Sequence, residues 1–100
     1  MLNNGESFIV KGKKELIFRR ELGETYVFDP YDLLAYKVND IVTEMMYLVS
    51  ENYNAEQFKE YFMKKYNATE NDVRNSVKEL VENNSFVKAI IPNLIVLGIL

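Results

Sequence analysis

The chain has 100 residues, a formal net charge of −3 and a hydrophobic content of 48%. This length suits one domain with a single core, and the mild acidity gives no reason to expect a polyanionic partner. Cysteine and histidine are both absent, which excludes disulfides, thiolate nucleophiles, the usual zinc sites and proton transfer by histidine. We therefore expect no metal, no cofactor and no catalytic activity.

The N-terminal residues carry no sign of a targeting segment. Their longest apolar run is Phe8-Ile9-Val10, which is far too short for the apolar core of a signal peptide. We therefore expect a cytoplasmic protein. Residues 1–14 are predicted to form a polar arm, in which residues 8–11 are either an edge strand or a loose segment.

Residues 15–38 predict three strands. Residues 16–21 alternate between two faces, and residues 25–28 are β-branched and aromatic, which favours a pleated surface. Gly23 separates these two strands, and Asp29-Pro30-Tyr31-Asp32 predicts the turn that follows the second strand. The third predicted strand runs from Leu33 to Val38.

The third predicted strand has two unlike faces. Its even positions form an apolar row, while Leu33, Ala35 and Lys37 face the other way. The second face is therefore only partly polar, and this leftover apolar surface is the feature that first suggests a binding function.

Three helices follow. Asn39 predicts the cap of the first helix, which ends near residues 50–52 and has an apolar stripe formed by Ile41, Met45, Leu48 and Val49. Asn54 and Gln57 predict a capping box for the second helix, which ends near Asn67. The third helix begins at Thr69 and ends near residues 83–84, and its apolar stripe is Val73, Val77, Leu80 and Val81.

The C-terminal segment is the most apolar part of the chain. Residues 86–91 predict a short closing strand, and residues 92–100 form an apolar tail interrupted by Pro92 and Asn93. The tail is too short to cross a bilayer, so we expect no membrane association. It either docks on the core or stays exposed and mediates a homodimer. The elements together predict an α+β fold of the winged helix-turn-helix type, with an N-terminal three-stranded antiparallel sheet, three helices and a closing strand.

The run IFRRELGETYVFDPYDLLAYKVND, at residues 17–40, followed by three helices, resembles the PqqD-like family of peptide-recognition elements from ribosomal natural-product pathways. Within that family, the stretch Arg20-Glu21-Leu22-Gly23 is most similar to the branch that includes the mycofactocin chaperone. The resemblance covers about residues 15–88 and implies a peptide-binding domain at residues 15–91.

The resemblance implies a binding module that is not an enzyme. The leader segment of a precursor peptide would add as a strand beside the third predicted strand, lie against the third helix, and be presented to a separate modifying enzyme, a radical-SAM maturase by analogy. The implied peptide-binding residues are Leu33, Leu34, Ala35, Tyr36 and Lys37 on the strand, and Val73, Arg74, Val77, Lys78 and Val81 on the helix. The alternative for each apolar member of this set is an ordinary place in the core.

Two other functions compete with this interpretation. Three helices and a closing strand also suit a winged-helix DNA-binding regulator, but the third helix carries Glu70, Asp72, Glu79 and Glu82 against only two basic residues, and acids repel phosphate. An enzyme would have to use Asp29, Asp32 and Asp40, which all have ordinary roles in turns and caps. We expect neither a nucleic-acid partner nor carboxylate catalysis.

Overall fold

The structure is a computed structural model that describes residues 2–100. A four-stranded antiparallel sheet is followed by helices, so the predicted α+β class is confirmed. In chain order, the elements are β1 (Ser7–Lys11), β2 (Glu15–Glu21), β3 (Glu24–Asp29), β4 (Leu34–Val38), α1 (Asp40–Ser50), α2 (Ala55–Tyr66), α3 (Glu70–Asn83), a 3-10 helix (Ser85–Ile90) and α4 (Ile91–Val96).

Two predicted features of the fold are wrong. The sheet has four strands rather than three, because β1 pairs with β2 as an edge strand, which was one of the two alternatives for residues 8–11. The predicted closing strand at residues 86–91 is helical. Its buried side chains are Phe86, Val87 and Ile90, whose spacing places them on one side of a helix, whereas a strand would alternate them. Without a closing strand, the predicted winged helix-turn-helix arrangement is not confirmed.

The sheet is a simple meander in the order β1-β2-β3-β4. β2 and β3 are joined by Leu22 and Gly23, whose φ angles are 52° and 79°. Two successive residues with positive φ form a type I′ turn, whose twist matches that of the flanking strands. Glycine takes such an angle without cost, while the fully exposed Leu22 adopts a conformation that is uncommon for its type. This turn sets the register of the two central strands, in which Glu21 pairs with Glu24.

The inner face of the sheet forms one wall of the core. Phe8, Phe18, Val27 and Tyr36 are cross-strand partners in a single inward row, and Phe18 and Val27 are fully buried. The rings of Phe8 and Phe18 stack at 4.9 Å. The outer face carries the neighbouring row, which consists of Ile9, Ile17, Phe28 and Ala35.

The helices begin and end close to the predicted positions. The side chain of Asn39 accepts a hydrogen bond from the amide of Val42, and both α2 and α3 have capping boxes. Asn67 ends α2 in the left-handed conformation, with φ 50°. The predicted apolar stripe of α1 is wrong at one residue. Ile41, in the first turn of α1, has 45% of its surface exposed instead of being buried.

A buried carboxylate joins α1 to α2. Glu44 is only 4% exposed, and its oxygens accept hydrogen bonds from the ammonium of Lys65 and, at 2.9 Å, from the hydroxyl of Tyr66. The hydrogen bond with Glu44 raises the pKa of Lys65 and keeps its ammonium charged. A buried charge needs such a partner, so this contact fixes the relative position of the two helices.

The C-terminal segment docks on the core and on the end of β1. Leu94 is fully buried, which agrees with the first of the two outcomes expected for the tail. The amide of Lys13 donates to the carbonyl of Ala89 at 2.7 Å, and the side chain of Asn93 donates to the carbonyl of Lys11 at 2.6 Å. In the described range 2–100, none of the helices is both long enough and apolar enough to cross a membrane.

Gly12 makes this docking possible. A Cβ atom at Gly12 would lie 2.2 Å from the carbonyl oxygen of Ala89, a backbone atom that cannot move aside cheaply. We predict that Gly12→Ala lowers the free energy of unfolding by about 1–3 kcal/mol, the usual range for overpacking. Urea denaturation measures this loss. The control is Lys13→Ala, an exposed position whose amide is retained, for which a change of no more than about 0.5 kcal/mol is expected. Equal effects of the two changes would contradict the prediction.

Candidate functional site

β4 is an edge strand. It pairs with β3 and has no neighbour on its other side within residues 2–100. The strand begins at Leu34, one residue later than predicted, because Leu33 has a φ of 54° and belongs to the preceding turn. Leu33 and Ala35 are both exposed rather than part of the core.

The alternating hydrogen bonds of the sheet show in which direction the backbone N–H and C=O groups of β4 point. The first observation is the pair of hydrogen bonds made by Arg20 in β2. The amide of Arg20 donates to Glu6 at 3.0 Å, and its carbonyl accepts from Gly5 at 2.7 Å, so Arg20 bonds to the β1 side. Because successive residues of an antiparallel strand bond to opposite sides, Arg19 bonds to β3. Its partner Tyr26 therefore directs its own backbone groups toward β2.

The same alternation continues to the edge. Val27 is next to Tyr26, so it bonds to β4, where its partner is Tyr36. Ala35 and Lys37, on either side of Tyr36, consequently point their N–H and C=O groups away from the sheet. No segment outside the sheet, anywhere in residues 2–100, makes a backbone hydrogen bond to these two residues. The exposed edge of β4 thus offers two donors and two acceptors.

Beside this edge lies a cleft of about 500 Å³, which we call the β4–α3 cleft. It lies at the Lys37–Val38 end of β4, and its buried lining residues Val38, Val42, Met45 and Leu80 form an apolar floor. The residues that line it are Lys37, Val38, Asn39, Ile41, Val42, Met45, Ser76, Glu79, Leu80, Asn83 and Asn84.

The predicted helix residues lie elsewhere. Val73, Arg74, Val77, Lys78 and Val81 line a second depression of about 450 Å³ between α2, α3 and residues 98–100, which we call the α2–α3 groove. Two of these residues, Val73 and Val77, are also part of the core, with 7% exposure each. The structure therefore does not bring the two halves of the predicted site together. Whether any of these residues binds peptide stays a prediction.

The sequence interpretation missed the part of α3 that faces β4. Ser76, Glu79, Leu80 and Asn83 recur at helical spacing and form the α3 wall of the cleft. These residues are separated by three or four positions in the sequence, but only Leu80 among them is apolar. A search for an apolar stripe therefore selects the side of α3 that carries Val73, Val77 and Val81.

The charges around the β4 edge are mostly paired. Lys37 forms an ion pair with Glu24 at 2.7 Å on the outer face of the sheet, and this hydrogen bond raises the pKa of Lys37. The same carboxylate accepts from the hydroxyl of Tyr26 at 3.0 Å. Both partners of the ion pair are largely exposed, so the pair orients Lys37 more than it stabilises the fold.

A turn cluster positions the start of β4. One oxygen of Asp29 accepts from the amides of Tyr31 and Asp32, at 2.9 and 3.2 Å, and the other accepts from the ammonium of Lys14 at 3.0 Å. Burial alone would raise the pKa of Asp29, but the Lys14 hydrogen bond and the two amides outweigh it and lower that pKa. The predicted Asp-Pro turn is therefore an Asx-type turn held by an ammonium ion.

The three carboxylates considered for catalysis, Asp29, Asp32 and Asp40, all accept hydrogen bonds from basic side chains. Asp32 also bonds to Lys14, and Asp40 bonds to Arg20 at 3.1 Å. In the part of the chain that the structure describes, no three acidic, histidine or cysteine side chains converge on a point where a metal ion could bind.

No family model, curated protein or solved structure matches the chain at a significant level. The resemblance to the PqqD-like family therefore depends on the sequence motifs alone, and the structural features that bear on function are the edge strand and its cleft.

The charge of Asp29 gives a prediction for stability against pH. A carboxyl whose folded pKa is lowered stabilises the fold above its unfolded pKa, near 4, and loses this contribution as the pH falls through the folded pKa. We therefore expect Asp29→Asn to destabilise the protein at pH 7, and the difference from the wild type to shrink steadily below about pH 4. Urea denaturation at a series of pH values between about 7 and 2 measures it. A difference that stays constant over this range would show that the charge has no role.

Proposed function

We propose that the protein is a non-catalytic adaptor that binds the leader segment of a ribosomally made precursor peptide by strand addition. The observation that carries the proposal is the exposed edge of β4, where Ala35 and Lys37 direct unpaired backbone groups outward. A sheet edge of this kind accepts an extended chain through its main chain, while neighbouring pockets select side chains.

The edge alone is too weak to hold a peptide. Four backbone hydrogen bonds contribute about 0.5–1.5 kcal/mol each in net terms. Ordering the guest costs about 1–2 kcal/mol per residue for the backbone alone, which is at least as large as that gain for a guest of four or more residues. Binding therefore requires contacts from side chains, and the β4–α3 cleft lies where the guest would make them.

The floor of the cleft supplies an apolar contact. Ile41 is 45% exposed, and it borders the buried side chains of Met45 and Leu80. A guest strand beside β4 would extend the inner face of the sheet, so every second side chain would point toward this floor. Covering one large apolar side chain there contributes about 1.5–3 kcal/mol toward binding.

Two further parts of the proposal depend on the family resemblance. These are presentation of the bound leader to a separate enzyme, such as a radical-SAM maturase, and a natural-product pathway as the setting. Homodimerisation through residues 92–100 receives less support, because the tail residue Leu94 already belongs to the core. The exposed surface that remains for such a dimer consists of Ile95, Val96 and Leu100.

DNA binding is not favoured by any specific feature. Three basic residues in or beside β2, which could have contacted phosphate, form ion pairs with acids: Lys14 with Asp29, Arg19 with Glu21, and Arg20 with Asp40. The exposed acids of α3 would also oppose its entry into a groove of the duplex.

The proposal predicts a specific effect of proline at position 35. Ala35→Pro removes an outward donor but no hydrogen bond to β3, so the fold is weakened only moderately while peptide binding falls at least about tenfold. The measurement is calorimetric titration with the short peptides encoded beside the gene, together with NMR mapping of the amide shifts on the wild type.

Ala35→Val is the matched control, because it alters the same side chain but keeps the amide. Its affinity should stay within about threefold of the wild type. Circular dichroism of both variants separates loss of binding from loss of fold. Binding that survives Ala35→Pro in a folded protein would rule out strand addition, and retardation of duplex DNA without peptide binding would favour a DNA-binding regulator.

A further inference from the structure

Two charged residues line the β4–α3 cleft, and one of them already forms an ion pair. These residues are Lys37 and Glu79, and the side chain of Lys37 is directed to the outer face of the sheet. Lys37 is paired with Glu24 at 2.7 Å, whereas Glu79 has no ion-pair partner among residues 2–100. The uncompensated charge of the cleft is therefore negative.

The C-terminal end of α3 increases this negative potential. Asn83 and Asn84 border the cleft, and the last turn of α3 contains no basic residue to offset the negative end of the helix dipole. The side chain of Asn84 satisfies one carbonyl, that of Leu80, at 3.0 Å. The remaining terminal carbonyls favour a cation nearby.

The N-terminus of α1 also borders the cleft, but its positive end is already compensated. Asn39 accepts from the amide of Val42 at 2.8 Å, and Asp40 lies in the first turn. The balance of the two helix ends and Glu79 leaves a site that attracts positive charge.

From these observations we propose that the cleft selects an extended peptide with a large apolar residue and, two residues away, a lysine or arginine. Residues i and i+2 of a strand point to the same side, about 6.6–6.8 Å apart. The apolar residue would cover the exposed part of Ile41, and the basic residue would pair with Glu79 while its aliphatic stem lies along the cleft wall. This inference rests on the proposed strand addition and assigns its specificity.

The α2–α3 groove provides the contrast. Its acids face basic residues: Glu70 lies 3.5 Å from Arg74, and Glu82 lies 3.9 Å from Lys78. Glu82 is three residues beyond Glu79 on the same helix, exposed like it, and lines only the groove. A change of charge at Glu82 therefore controls for the general effect of altering α3.

The test is selection from a displayed library of random ten-residue peptides on the immobilised protein, followed by affinity measurements on the enriched peptides. For the wild type we expect enrichment of Lys or Arg two residues from a large apolar residue. Glu79→Gln should weaken binding of these peptides about threefold to fivefold, in the range of a partly exposed ion pair, and the effect should fade as salt is raised. Glu79→Lys should shift the enriched residue to Asp or Glu, while Glu82→Lys should leave the preference unchanged.

Failure of this inference can be distinguished from failure of the proposed function. Peptides that bind, depend on the amide of Ala35, and yet show no basic preference or no response to Glu79→Lys would overturn the charge selection and leave strand addition standing. Peptides whose binding ignores Ala35→Pro, or a library from which the folded wild type enriches nothing, would overturn both.

Discussion

The alternation of backbone hydrogen bonds across the sheet is the constraint on which the site depends. Because Arg20 bonds to the β1 side, Ala35 and Lys37 in β4 must point their backbone N–H and C=O groups away from the sheet. A shift of one residue anywhere in the meander would reverse this and would also turn each inward side chain to solvent. The two-residue turn at Leu22 and Gly23 is therefore as important to the edge as the edge residues themselves.

The edge stays open because the helices and the C-terminal segment pack elsewhere. α3 is held by Val73, Val77 and Leu80 in the core, which leaves its polar side facing β4 across a cleft. The C-terminal segment could have covered either edge of the sheet, but its hydrogen bonds are made at the end of β1. The C-terminal segment thus covers only the Lys11 end of the β1 edge and leaves the β4 edge available to a guest.

Much of the fold was predictable from local chemistry. Capping residues such as Asn54 and Thr69 make hydrogen bonds within three residues, so their role can be read without knowing the tertiary structure. The 3-10 helix was mistaken for a strand because a short apolar run has no clear period, and its state is decided by packing.

The site was predictable only in part. Strand addition beside β4 was implied by the family resemblance, whereas the orientation of α3 is a tertiary property. Two sides of α3 carry side chains at helical spacing, and burial of Val73 and Val77 decides which of them faces the cleft. Of the residues implied by the family resemblance, the five on α3 line the α2–α3 groove, whereas Lys37 is the one strand residue that lines the β4–α3 cleft.

The outward direction of the β4 backbone groups is tested most directly by amide hydrogen exchange in the peptide-free protein. The amides of Tyr36 and Val38 bond to β3 and should be protected, whereas those of Ala35 and Lys37 should exchange at close to the rate of an open chain. Protection of Ala35 and Lys37 in the free monomer, or the opposite alternation, would contradict the account because the edge would have nothing left to offer a guest strand.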